Sequence, residues 1–340
     1  MTIIVPAASF TLLYIYCSFN ERNFMSAIML FVSLFTIVEL NCENLFDYRH
    51  DTGKDDIEFT PEGNRKWTSF RYYKKINNIA KALLACGNDG RIPDLIALCE
   101  VENDSVLTDL THRSPLKGGA YDYIMTDSKD PRGIDVALIY CRLTFKPVEK
   151  RSIGIEGNFD DTPLRDILFV KGIITGGDTL NVMVVHSPSR RGGKKQSEPK
   201  RAAVINTICN VIDSITDKSP DASIIVTGDF NASSSELSLK KLARHGMTNS
   251  GIGKKGTYGA IGSYKYQGVW ETIDHIFLSP RLNQRGTVFT LHDMPMLLEK
   301  DKRYGGVKPR RTFYGWRYDN EGCSDHLPIS VTIRTDESRQ

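Results

Sequence analysis

The chain has no CxxC pair, no visible internal repeat and no linker rich in proline, glycine or serine. Its formal net charge is only +3 over 340 residues. Each of these absences excludes something. Seven cysteines, an odd number without paired spacing, do not make a disulfide framework or a zinc site. A charge of +3 is too small to demand a nucleic-acid partner, so the placement of the basic residues matters more than their sum. Without a linker or repeat, one large domain is the simplest organisation. What is present fits that: 40% hydrophobic and 25% charged residues is the balance of a globular chain that buries a full core. Cys99 and Cys141 sit in apolar runs and read as buried thiols.

The N-terminus stands apart. Residues 3–19, IIVPAASFTLLYIYCSF, are apolar, and after a polar break at Asn20–Asn23 a second apolar run covers 25–38. No basic region precedes the first run, which argues against a signal peptide. It is barely long enough to span a bilayer and contains Pro6. Two readings follow. If residues 1–24 are real, residues 1–34 form a hydrophobic segment that exports the chain or gives it membrane association through 3–19. If Met25 is the start, the chain is cytoplasmic. The expected domain then spans 35–334, followed by a polar tail at 335–340.

From residue 35 the pattern is of short β-rich runs with a few helices. Strands are predicted at 35–41, 94–101, 121–127, 134–140, 167–174, 180–187, 222–229, 273–278 and 327–333. One helix is predicted over 69–86, with Phe70, Tyr73, Ile76, Ala80, Leu83 and Leu84 on its apolar face and Gly87 as its stop. A second is predicted from a Ser197 N-cap, burying Ala202, Ile205, Ile208, Val211 and Ile215. Several strands are apolar on both faces, which calls for a layered α/β structure of two sheets with helices outside.

The polar residues at the ends of those apolar strands are the informative ones. LNCENLFD ends the first strand with Asn41, ALCEVEN supplies Glu100, and VVHSPSRRGG supplies His186. IVTGDFNASSSE gives Asp229 and Asn231, TIDHIFLS gives Asp274, and SDHLPI gives Asp325 and His326. Each alone reads as a turn, a cap or a structural histidine. Together they form an oxygen-rich set with two histidines and no cysteine cluster, which suits Mg²⁺ or Mn²⁺. Hydrolysis of a phosphate ester needs an aligned water, neutralised phosphoryl charge and help for the leaving oxygen, and this set supplies all three.

At these motifs, which run in order from about residue 35 to 334, the chain resembles the endonuclease/exonuclease/phosphatase superfamily. The resemblance implies a four-layered α/β sandwich of two mostly antiparallel sheets, with the site where the sheets meet. It implies Glu100 as principal metal ligand, with Asn41 and Asp325 nearby. Asp229 would position or deprotonate the attacking water, and Asn231 would hold the phosphate or a metal-bound water. His326, oriented by Asp274, would act as base or electrostatic stabiliser, and His186 would act on the phosphate and leaving group. Cys42 beside Asn41 is an unusual neighbour for the motif.

For the substrate, RRGGKKQSEPKR (190–201) holds six basic residues against one acidic. KDKRYGGVKPRRTFYGWRYDN (300–320) interleaves Lys and Arg with Tyr304, Phe313, Tyr314, Trp316 and Tyr318. Such stretches suit a polyanion and its stacked bases. The expected substrate contacts are Arg165, Arg190, Arg191, Arg201, Arg311 and Trp316, while Tyr258 and Tyr264 read as packing. The expected activity is that of a Mg²⁺-dependent nuclease or phosphodiesterase acting as a monomer on nucleic acid or another phosphoester. A phosphomonoesterase or lipid-headgroup phosphodiesterase is the alternative, and a non-catalytic phosphate-binding module the third.

Overall fold

A computed structural model of the chain describes residues 32–336, except 89, 158, 160–162 and 191. The expectations placed on residues 1–31, on Arg191 and on the tail after 336 lie outside the described residues. The expectation of membrane association is corrected for the described residues, which do not include 3–19. Among the described residues no helix is long and apolar enough to cross a membrane. The longest, Lys194–Thr216, carries Lys194, Lys195, Glu198, Lys200, Arg201 and Asp213, which a bilayer core would not accept.

The strands are β1 (Val32–Leu45), β2 (Leu95–Val101), β3 (Tyr121–Met125), β4 (Asp135–Cys141), β5 (Phe145–Ile153), β6 (Ile167–Ile174), β7 (Thr179–His186), β8 (Ser223–Asp229) and β9 (Thr248–Asn249). A hairpin follows, β10 (Tyr264–Tyr266) and β11 (Val269–Glu271), then β12 (Asp274–Leu278) and β13 (Thr287–Leu291). Two short ribbons, β14 (Leu298–Lys300) with β15 (Val307–Pro309) and β16 (Phe313–Tyr314) with β17 (Arg317–Tyr318), precede β18 (Ile329–Asp336). The main helices are α1 (Ser69–Ala85), α2 (Asp104–His112), α3 (Lys194–Thr216) and α4 (Leu237–Arg244).

Two six-stranded sheets result, in the orders β13-β18-β1-β2-β4-β3 and β5-β6-β7-β8-β12-β9. Only β1–β2 and β7–β8 pair in parallel; the other ladders of these sheets are antiparallel. Alternate residues along β6, β7 and β8 enter different cores. Leu168, Val182 and Ile225 join the core shared with the first sheet, while Phe169, Met183 and Val226 pack with Val204 and Ile208 of α3 and Leu242 of α4. Both faces are covered, which is why these strands read as unbroken apolar runs. With α1 and α2 packed on the first sheet, the architecture is the four-layered α/β sandwich.

Three local expectations change. Helix α3 begins at Lys194, behind Gly193, so Ser197 is not its cap; the Ser197 hydroxyl donates back to Gly193 O within the first turn. Phe70 is exposed, and α1 buries Tyr72, Ile76, Ile79, Ala80 and Leu83 instead. Strands β5 and β13 escape the sequence pattern because both are sheet edges. Edge strands carry exposed charge, as β5 does at Lys146, Glu149, Lys150 and Arg151, and so lose the apolar signal.

Candidate active site

The second sheet aligns three polar side chains in one row. His186 ends β7 opposite Asp229 of β8, and Asp229 lies opposite Asp274 of β12. Gly228 makes the close pairing possible: its φ is +140°, and a Cβ there would stand 1.9 Å from Val185 O. After Asp229 the chain turns through Asn231, a left-handed residue with φ +49°. Asp229 is held by several donors. Asn231 N–H donates to its Oδ1 (2.8 Å), and Asn231 Nδ2 and Asn41 Nδ2 both donate to Oδ2 (3.1 Å each).

The first sheet faces this row with Asn41 on β1 and Glu100 on β2. Both strands are irregular here. The β1–β2 register shifts between Asn41 and Leu45, where Glu43 and Asn44 take φ of +51° and +56°. Glu100 itself has φ +60° at a second shift, between Cys99 and Val101. Left-handed non-glycine residues cost energy and concentrate where side chains must be aimed. The bulge aims Asn44 N–H at Glu100 Oε2, 2.8 Å away.

The two histidines have opposite electrostatics. His326 Nδ1 lies 2.8 Å from Asp274 Oδ2. Burial alone would lower its pKa, but the charge of Asp274, the hydrogen bond to it and the nearby Asp229 and Asp325 hold it well above the usual histidine value. His186 is also buried, but its Nε2 is 3.7 Å from both Glu100 Oε1 and Asp229 Oδ2, beyond hydrogen-bond reach, and its Nδ1 has no partner. Burial, with Arg165 and Arg132 nearby, pushes its pKa well below the usual value. Burial and Asp274 together raise Asp229 to about 7.

Asp229, Asp274 and His326 each place a ligand-type atom within 4.8 Å of the others, all three buried. This compact group differs from the metal set read from the sequence. Glu100 is turned to Asn44 N–H, and Asp325 is drawn 3.0 Å from Arg311 Nη2. The donors still suit a divalent cation: buried carboxylates crowd one another, and His186 Nε2 stands 3.7 Å from two of them, Glu100 and Asp229. Residues missed by the sequence reading join the site. Glu39, two positions before Asn41 and so on the same side of β1, is fully buried, with Oε2 unpartnered. Its desolvation, then Asp274 and Asp229, raise its pKa well above the carboxylate range. A charged residue inside the apolar run FTIVELN was the available signal. Arg132, bonded to Asn44 Oδ1, gave none.

The candidate substrate contacts divide. Arg165 is tied to Asp130 Oδ2 (2.5 Å) and to the carbonyls of His186 (3.2 Å) and Ser187 (3.3 Å), so it braces the end of β7. Arg190 pairs with Glu271 (2.6 Å) and Glu236 (3.2 Å). Arg201 is corrected: it is 1% exposed, bonded to Ser197 Oγ (2.6 Å) and Lys194 O (3.0 Å), and cannot reach a substrate. Arg311 bridges Glu43 and Asp325 at the site's edge while keeping part of its surface open. Trp316 is exposed in the β16–β17 turn with Arg65 over its ring. Phe313 and Tyr318 are corrected as stacking surfaces, since both rings pack on Trp67. Tyr264, read as packing, lies against the His326 ring with centroids 4.9 Å apart.

A family-level sequence comparison matches residues 36–335 to the Endonuclease/Exonuclease/phosphatase family. Solved structures agree in fold. TDP2 of D. rerio, complexed with single strand DNA product, is 17% identical with a TM-score of 0.56, covering 89% of this chain and 100% of that one. A mannosyl-6-phosphatase of Bacteroides thetaiotaomicron is 17% identical with a TM-score of 0.56, covering 88% and 99%. The catalytic domain of human Nocturnin with bound sulfate is 15% identical with a TM-score of 0.54, covering 89% and 98%. No curated protein matches the chain. The chain belongs to the endonuclease/exonuclease/phosphatase family. Membership and the Asp229–Asp274–His326 cluster support a metal-dependent phosphoesterase.

Proposed function

We propose that, as a member of this family, the chain is a Mg²⁺-dependent nuclease or phosphodiesterase, with Mn²⁺ as a substitute, in which water attacks phosphorus. The observation that carries the reading is the buried meeting of Asp229, Asp274 and His326 within 4.8 Å, beside Glu100, Asn41 and His186. Glu100, Asn41 and Asp325 would hold the cation, which leaves Asp229 and His326 free for the roles below; were the compact cluster to hold it instead, His326 would be a neutral ligand and not a proton-bearing donor. When bound, the cation neutralises phosphoryl charge and eases deprotonation of water. Asp229, fixed by three donors, orients the water and takes its proton. Its pKa near 7 suits that transfer at neutral pH. His326, kept protonated by Asp274, serves as an electrostatic donor to a phosphoryl oxygen rather than as the base. His186, held neutral, meets the leaving-group side.

The test is hydrolysis by the full chain and its His326→Ala variant, with Mg²⁺ or EDTA, on supercoiled DNA, single-stranded RNA, phosphomonoesters and phospholipids. Metal- and His326-dependent nicking is the expected result. Phosphate release with intact DNA would move the protein to phosphomonoesters, the second substrate class, because the mannosyl-6-phosphatase above shares the fold. Headgroup cleavage would make it a lipid phosphodiesterase, and no turnover at all a phosphate-binding module. Calorimetric Mg²⁺ titration separates the two ligand sets without activity: Glu100→Gln loses binding in one case, Asp274→Asn in the other.

A further inference from the structure

The β10–β11 hairpin is fixed to the site by its base. Tyr264 forms a β-bridge to His326, Leu327 N–H donates to Ser263 O (2.7 Å), and the Tyr264 ring lies on the His326 ring. The turn, Gln267-Gly268, has φ of +47° and +85°, the two left-handed residues of a tight two-residue hairpin. The face opposite Tyr264 is anchored. Lys265 Nζ pairs with Asp301 (2.9 Å), donates to Gly305 O and Val307 O (3.0 Å each) and lies over Trp270. The ribbon is therefore held on one side and at its root.

The face that begins on His326 continues outward without cover. Side chains two apart on a strand share a face and stand roughly 7 Å apart. Tyr266 is thus the next residue out from Tyr264, and Val269 lies directly across from it. They are 58% and 63% exposed. At the turn, Tyr304 packs beside Gly268, is 47% exposed and carries the Arg303 guanidinium 5.1 Å over its ring. Nearby carboxylates are already neutralised: Asp301 by Lys265 and Glu271 by Arg190. That leaves Arg303 and the exposed Lys302 to give the tip positive charge.

We propose that the Tyr266–Val269 face of this hairpin is a stacking platform for an unpaired nucleobase next to the scissile phosphate, so that the substrate is single-stranded nucleic acid. The proposal rests on the phosphodiesterase reading and names its substrate class. An aromatic face interleaved with cations suits a base and its phosphates. Three side chains are too few for a protein partner, which needs about 800 Å² on each side.

The experiment measures fluorescence anisotropy with the full chain in EDTA. The probes are a labelled single-stranded oligodeoxynucleotide, the same strand with abasic tetrahydrofuran residues, and the duplex. Tyr266 is a surface residue, so Tyr266→Ala should keep the wild-type melting temperature. It should weaken binding of the base-bearing strand about tenfold and leave the abasic strand unaffected, and Tyr266→Trp should restore binding. Equal weakening on both strands, no weakening, no binding of any strand by wild type, or equal affinity for duplex would each overturn the platform. Discrimination by Tyr266 in a protein that cleaves no strand with Mg²⁺ would overturn the nuclease reading and leave the platform standing.

Discussion

The site has two flanks made from the same materials. On one, His186 closes β7 and a basic stretch, 190–201, follows; on the other, a basic stretch, 300–320, precedes His326. On the first flank Glu236 gathers the charge: Lys194 Nζ lies 3.0 Å away, Arg190 Nη2 3.2 Å and Arg201 Nη2 3.6 Å. No carboxylate is left within hydrogen-bond reach of His186, which stays neutral. On the second flank Asp274 goes to His326, and Arg311 is shared between Glu43 and Asp325 with its outer surface open. The two histidines acquire opposite charge states because Asp274 bonds His326, while burial and the nearby Arg165 and Arg132 act on His186. Basic clusters in a sequence count cations; only the partners decide which of them remain available.

The largest effect should separate the two histidines. His326→Ala is expected to lower kcat/KM by about 10³, within the usual span for a proton-bearing catalytic group. His186→Ala should cost roughly tenfold less, because a neutral imidazole offers less to a phosphoryl anion. Equal losses in a steady-state assay would mean that the protonation difference has no bearing on chemistry.

Next in size is the structural side of the contrast. Glu236→Gln leaves the buried Arg201 guanidinium without its carboxylate. Removing one partner of a buried pair costs about 3 kcal/mol. Denaturant unfolding should show that loss, while turnover of the folded fraction barely changes. A fall in turnover with unchanged stability would place the 190–201 stretch in catalysis.

The pH dependence of stability should carry opposite signs for the two histidines. His326 has a raised folded pKa, so its contribution is full below the unfolded value of 6.5 and is lost as pH rises through the folded pKa. His186 has a lowered folded pKa, so its contribution is present above 6.5 and is lost as pH falls below it. Asp229 behaves like His326. Raised from 3.8 to about 7, it stabilises the metal-free protein below pH 3.8 and loses that contribution as pH rises through 7. One proton gives at most about 1.4 kcal/mol per pH unit. Melting curves in EDTA should therefore show His186→Asn removing a rise of stability with pH below 6.5, Asp229→Asn removing a fall between pH 3.8 and about 7, and His326→Asn removing a fall above 6.5. The same slope change in both histidine variants would break the contrast.

Much of this arrangement was legible in the sequence. Runs apolar on both faces announced covered sheets, and the polar residue ending each run announced the site, because a strand end fixes where its last side chain goes. His186, Asp229 and Asp274 come together through registers that sequence spacing does not state, but their shared position at strand ends implied it. Illegible were features created by pairing across long separations. Arg201 looked like a free cation until α3 placed it on Glu236, and Phe313 and Tyr318 looked like a platform until Trp67, far earlier in the chain, covered them. Glu39 was a visible anomaly, a charge in an apolar strand, whose meaning depends on carboxylates contributed by the other sheet.

The smallest expected effect tests whether burial, rather than pairing, sets the difference between the flanks. Lys194 and Arg201 meet the same carboxylate, but the Lys194 side chain is more than half exposed while that of Arg201 is sealed. Exposed ion pairs contribute about 0.2–1 kcal/mol. Lys194 is also the first residue of α3, where a cation opposes the helix dipole and offsets part of that gain. Lys194→Ala should therefore change unfolding free energy by less than about 1 kcal/mol, and by less still at high salt. A loss as large as that of Glu236→Gln would show that Glu236 acts through its exposed partner rather than through the buried Arg201.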